Sequence, residues 1–202
     1  MKKTLLSLLM VLLFISGLSG CASKEKPEET IVTFLDAFKE KKVIDYASLF
    51  DGDVSDMTDD PFASPDTPNE VSTKMMELIL SFDYEIKGTE ISEDGLSATV
   101  SVEFTTVNLG LVITTYMTKY ITEAFKLAFS GGTEEQFNQL SIDLFLEASD
   151  GAAKDKVTTV EVKMVKVDKK WLIQGGEANL ALFDGLMGGL ISTIEELRPS
   201  GE

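Results

Sequence analysis

Between Pro27 and Leu197 the spacing of apolar residues changes period again and again, and that alternation constrains the fold more than any other feature of the chain. Ile31, Phe34, Leu35 and Phe38 recur at i, i+3, i+4 and i+7, one face of a helix that Pro27, Glu28 and Glu29 are suited to open. A second short helix is expected over 43–50, and Asn69 can cap another that carries Val71, Met75, Leu78 and Ile79. From Phe82 the period falls to two. Phe82, Tyr84 and Ile86 alternate with Asp83, Glu85 and Lys87; beyond the turn residues Glu93-Asp94-Gly95, Ala98, Val100, Val102 and Phe104 alternate with Ser97, Thr99, Ser101 and Glu103. This predicts a hairpin with one wet face.

Helical spacing returns over 108–130 and ends at Gly131-Gly132, after which Thr133 and Gln136 match a capping box for a helix that stops near Gly151. A second hairpin joins Val160, Val162 and Met164 to Trp171-Leu172-Ile173 through Asp168-Lys169-Lys170. Val165 and Val167 fall out of phase, which predicts a β-bulge near Met164-Val165. Glu177 to Leu197 reads as one closing helix. The whole is α+β, with a curved antiparallel sheet of about four strands, a helical pair inserted between the hairpins, and a C-terminal helix.

Composition narrows the chemistry. The 202 residues include no histidine, so Ser-His-Asp and Cys-His catalytic pairs and imidazole-bound zinc or haem are excluded. One cysteine forbids an intramolecular disulfide and any multi-cysteine metal cluster. The formal charge of −16 argues against nucleic acid as a partner, because phosphates would repel this surface.

The first twenty residues read as a leader. Lys2 and Lys3 precede an uncharged run from Thr4 to Gly20, whose apolar part, Leu5 to Ile15, is shorter than the roughly 20 residues a spanning helix needs. Leu18-Ser19-Gly20-Cys21 resembles the lipobox of bacterial lipoproteins. The resemblance implies cleavage before Cys21, a diacylglyceryl group on its sulfur, and usually acylation of the new amino terminus. Two or more chains anchor stably where one does not. The expected organisation is a signal peptide at 1–20, the lipidated cysteine and a short tether at 21–26, and a single domain at 27–198. The tether reaches at most about 3.5 Å per residue, so the domain is expected to hang close to the outer face of the cell membrane.

The order helices, hairpin, helices, hairpin ending in a lone tryptophan, behind a lipobox, resembles the NTF2-like superfamily, in particular its small Gram-positive lipoproteins of unknown function. The residues that carry the likeness are Tyr84-Glu85-Ile86-Lys87-Gly88, Ser97-Ala98-Thr99-Val100-Ser101-Val102 and Val165-Lys166-Val167-Asp168-Lys169-Lys170-Trp171-Leu172-Ile173. The resemblance implies a curved sheet whose tryptophan strand packs against the first helix. The pair at 108–149 and the last helix are additions to a minimal member.

Four candidate sites follow. The acidic loop 51–70 has Asp51, Asp53, Ser55 and Asp56 at close spacing, which calcium could use, but Asp56 and Phe62 stand where an EF-hand has its glycine and bidentate glutamate. The plainer reading is a solvated loop. Tyr84, Tyr116 and Tyr120 with Asp83, Glu103 or Asp143 are the only materials for carboxylate and tyrosine catalysis, and none has a spacing that compels it. Lys163, Lys166, Lys169 and Lys170 could receive an anion, or could simply guard a strand edge. A pocket between the last helix and the sheet, walled by Phe104, Met117, Trp171, Phe183 and Met187, would take an apolar ligand.

The function expected is therefore that of a membrane-anchored extracytoplasmic lipoprotein, not an enzyme, without metal or cofactor. It would bind a small apolar ligand or an envelope protein. The alternative is a hydrolase or isomerase built on carboxylates and tyrosines.

Overall fold

The computed structural model describes residues 25–42, 44–52 and 69–198; the leader, Cys21 and residues 53–68 of the acidic loop lie outside them. Helix α1 (Pro27–Lys39) opens as expected, with Pro27 in its first turn and the Lys26 N–H donating to Glu29 Oε2 at 3.4 Å. A 3-10 turn at Tyr46–Leu49 then leads into strand β1 (Phe50–Asp51). Helix α2 (Glu70–Leu80) is capped by Asn69, whose Oδ1 accepts from the Ser72 N–H at 2.8 Å. Strands β2 (Asp83–Ile91) and β3 (Ser97–Val107) form the first hairpin. Helices α3 (Leu109–Phe129) and α4 (Glu134–Asp150) form the inserted pair. Strands β4 (Lys154–Val167) and β5 (Lys170–Gln174), a 3-10 turn at Gly176–Asn179, and helices α5 (Leu180–Leu186) and α6 (Leu190–Leu197) complete the order.

The sheet runs β1-β5-β4-β3-β2, antiparallel throughout except that β1 lies parallel to β5. The two expected hairpins supply four strands. The fifth is the two-residue strand Phe50–Asp51; of the short helix expected over 43–50, a 3-10 turn at Tyr46–Leu49 forms, and Phe50 begins the strand. Phe50 is buried and Asp51 exposed, and the Asp51 carbonyl accepts from the Gly175 N–H at 2.7 Å. A pairing partner more than a hundred residues away gives no local signal.

Two further expectations need correction. Pairing of β3 with β4 is unbroken through Ala98↔Met164 and Ser97↔Val165, so no bulge sits at Met164-Val165. Val165 and Val167 lie on the outer face, where two valines mimic a change of phase. The register shifts fall instead between Ile86 and Gly88 and between Thr106 and Val107. The closing helix is likewise not continuous. Gly188 and Gly189 take φ of 59° and 80°, the left-handed region that favours glycine. A Cβ at Gly188 would also run into the Val107 carbonyl oxygen.

Apolar side chains gather in two clusters. The first covers the inner face of the sheet: Val100, Val102, Phe104, Val162, Met164, Trp171 and Ile173 meet Ile31, Phe34, Leu35 and Phe38 of α1 and Leu182 and Leu186 of α5. Each such side chain contributes about 1.5–3 kcal/mol of burial. The second joins the roots of α3 and α4 to α2: Leu78, Val107, Leu109, Val112 and Phe145. Ile79 packs against both.

Candidate functional site

Cys21, the most specific expectation of the sequence, lies outside the described residues, as do Asp53, Ser55 and Asp56 of the acidic loop. Among the described residues no helix is long and apolar enough to cross a membrane, and no three His, Cys, Asp or Glu side chains converge where a metal ion could bind.

The pocket expected from the sequence lies between the closing helix and the inner face of the sheet, and aromatic rings occupy that face. Phe34 is the hub: its ring meets Phe50 edge-on at 5.3 Å, Tyr46 at 6.1 Å and Phe183 at 6.2 Å, and lies 6.0 Å from Phe38. Phe82 bridges onward to Phe38 and Phe104. Helix α5 comes down on β3 and β4 at Gly185, where an added Cβ would lie 2.9 Å from Val160 Cγ1 and 3.3 Å from Phe104 Cδ2. That approach is tight packing.

The five expected pocket walls are distributed accordingly. Phe104, Trp171 and Phe183 belong to the first cluster, Met187 packs against the second, and Met117 lies on an exposed face of α3. Trp171 does tie the sheet to the first helix, as the resemblance implies. Its carbonyl accepts from Thr30 Oγ1 at 2.8 Å, and Lys166 Nζ sits 5.0 Å above its ring.

None of the tyrosine–carboxylate pairs considered for catalysis is assembled; each member has another partner. Tyr84 donates to Asp36 Oδ1 at 2.5 Å, and burial first, then that hydrogen bond, pushes its phenol well above the usual tyrosine range. A phenol held neutral is a donor, not a base. Asp83 binds Lys154 and Lys39, whose hydrogen bonds bring its carboxyl down to about 2. Tyr116 shares a 2.8 Å hydrogen bond with Ser141 and stacks on Tyr120 at 5.8 Å. Asp143 accepts from Gln139, and Glu103 from Lys87 at 3.4 Å.

The lysines of the second hairpin divide between two faces. Lys166 turns inward over Trp171, while Lys163 faces outward and reaches Thr99 Oγ1 at 3.2 Å. Asp168 and Lys169 form the two-residue turn with φ of 50° and 72°. At the other end of the pairing, past the last residues of β5, the edge of β4 is closed by Asn179. Its Oδ1 accepts from the Lys163 N–H at 2.8 Å, and its Nδ2 donates to the carbonyls of Lys163 and Gln174. This buried amide stands in for a continuation of β5. Sequence reasoning places it in the closing helix, since a cap across a strand edge has no local pattern.

A cleft of about 430 Å³ that the sequence does not suggest opens between α3, α4 and the start of β4. Asn108, Leu111, Thr115, Ala152 and Asp155 line it, and the Lys119–Glu147 ion pair at 2.9 Å forms a wall. Asn108 already caps α3 through the Leu111 N–H. The lining offers a shallow amphipathic seat and no nucleophile beside a base.

The sequence matches no protein-family model and no curated protein. Among solved structures it is similar to a presumed lipoprotein of Bacillus subtilis, ycdA, at 20% identity and a TM-score of 0.38, over 77% of this chain and 45% of that one. The chain thus spans less than half the length of that protein.

Proposed function

We propose that this is a lipoprotein of the outer face of the cytoplasmic membrane, held through Cys21, with an NTF2-like body that works by contact with protein rather than by turnover. The observation that carries the reading is the inner face of the sheet, filled by Phe34, Phe38, Phe50, Phe82, Phe104 and Phe183 where a ligand would otherwise lie.

The start of α1, from which the proposed tether runs, and the inserted helices fall at opposite ends of the sheet. Glu28, at the start of α1, accepts from Thr89 Oγ1 near the 92–96 turn, whereas α3 and α4 join the sheet at Val107 and Lys154. Thr89 pairs with Val100, so about 20 Å of strand separates the two ends. A six-residue tether of about 20 Å holds the first end near the bilayer and directs the helical pair away from it. The acidic body opposes a close approach to anionic lipid.

Two measurements test the proposal. Cys21→Ala should leave uncleaved precursor and abolish labelling by a fatty-acid probe; a labelled mutant overturns the anchor. Native mass spectrometry of the detergent-extracted chain should show no retained apolar compound beyond lipid and detergent. A bound compound released on denaturation would overturn the contact reading in favour of a carrier.

A further inference from the structure

Both α3 and α6 leave the second cluster with their apolar faces unfinished. On α3 the residues packed in the cluster end at Tyr116; one side continues half-buried through Tyr120, Ala124 and Leu127, while Met117, Ile121, Phe125 and Phe129 follow at i, i+4, i+8 and i+12 on an open side. They are 38% to 90% exposed, Phe129 the most. On α6 the face begins at Leu190 inside the cluster and runs out through Ile194 and Leu197, both about half exposed. The two helices touch at their roots, where Gly110 admits Thr193 and its N–H donates to the Gly188 carbonyl at 3.4 Å.

We propose that these faces form a self-association surface through which two copies of this chain pair at the end of the body away from the anchor. Three features select a second copy. The six side chains expose roughly 600 Å² of apolar surface, taking about 200 Å² for a whole phenylalanine. At about 60% apolar content that area corresponds to about 1,000 Å² per copy, enough for a stable dimer. The rim on α3 is uncharged, with Thr114, Thr118 and Thr122 along the stripe, and on α6 it carries both signs, Glu195, Glu196 and Arg198 beside Ile194 and Leu197, so a two-fold contact can set unlike charges opposite each other at its edge. A basic partner would call for a rim of acidic residues alone. A bilayer would call for a row of free cations beside the stripe; both lysines of α3 are in ion pairs, Lys119 with Glu147 and Lys126 with Glu123, and Arg198 at the end of α6 stands beside Glu195 and Glu196. A two-fold axis then brings identical residues together, as in most homodimers.

The inference deepens the contact reading above and rests on it for its biological use, while the pairing itself depends on α3 and α6 alone. The natural chain has one cysteine, so Ile121→Cys introduces a single new thiol. On intact cells a short bis-maleimide should convert the I121C chain to a species of twice its mass. Glu90→Cys, at the anchor end, and the unmodified chain should stay single. Phe125→Ser should weaken association of the extracted full chain at least 100-fold in sedimentation, with its circular dichroism unchanged. Cross-linking no stronger in I121C than in E90C overturns the proposal, as does a product with a different protein. Shielding of the introduced thiol of I121C only when vesicles are added overturns it in favour of lipid. Failure of the anchor reading shows separately, as loss of fatty-acid labelling with the I121C cross-link intact.

Discussion

Phenylalanine does opposite work in two regions of this molecule. On the inner face of the sheet Phe34, Phe82 and Phe104 are within 1% of complete burial, and the Phe82 and Phe104 rings meet edge-on. On the outer half of α3, Phe125 and Phe129 are 62% and 90% exposed. The same residue type at helical spacing holds the body together in α1 and is left open in α3. The difference is what lies opposite. A sheet faces α1 along its length, whereas the second cluster covers only the first two turns of α3. An apolar stripe therefore reports that something covers a helix face, and not whether the cover belongs to the same chain.

Truncation at the hub should separate the regions most sharply. Phe34→Ala removes a ring that four others touch and should cost about 3–5 kcal/mol, read as a lower midpoint in urea. Asn179→Ala comes next. It leaves the Lys163 N–H and two carbonyls without their partner, and a loss of about 2–3 kcal/mol is expected by the same measurement. If Asn179→Ala is neutral, the edge of β4 is solvated and the amide does not close it. Gly185→Ala forces a methyl against Val160 and Phe104, and about 1–3 kcal/mol should be lost in thermal unfolding. A stabilised variant would reveal room between α5 and the sheet, and the contrast with α3 would weaken. Phe129→Ser, by comparison, should stay within about 0.5 kcal/mol of the natural chain in chemical denaturation at a concentration low enough to keep the chain single. A large loss there would mean that α3 is covered from within.

The smallest expected effect is electrostatic. Asp83 has its carboxyl lowered to about 2 by Lys154 and Lys39. A depressed carboxylate contributes stability above its unfolded value of about 3.9 and loses it as pH falls toward 2. The pair is exposed, so the contribution is a modest one. Carbon-detected NMR titration should place the Asp83 midpoint near 2, and Lys154→Met should move it up toward the ordinary value.

Much of the fold is legible along the chain because its signals are local. Strict alternation marks β2 and β3, Asn69 and the Thr133–Gln136 box mark the starts of α2 and α4, and Gly131-Gly132 marks the end of α3. What escapes depends on partners distant in sequence. Strand β1 exists because β5 lies beside it, and the break at Gly188-Gly189 is held by the left-handed backbone of both glycines, with the Val107 carbonyl leaving no room for a side chain at Gly188. Val165 and Val167 imitate a bulge because an outer face can carry valine without burying it. The site divides in the same way. The run Leu18-Ser19-Gly20-Cys21, which resembles a lipobox, is four adjacent residues and needs no fold to be read, whereas the contacts of Asn179 and the α3–α6 surface join residues that only folding brings together.

By itself the sequence determined the order of helices and strands, the exclusion of histidine and multi-cysteine chemistry, and the expectation of an anchor at Cys21, because periodicity, composition and short motifs are properties of neighbouring residues. Only the tertiary structure decided that the inner face of the sheet is filled with rings, that Tyr84 serves as a donor to Asp36, and that the apolar side of α3 is left uncovered. Those outcomes depend on which surfaces meet, and a burial that contributes a few kcal/mol in one place is absent in another when no surface arrives to complete it.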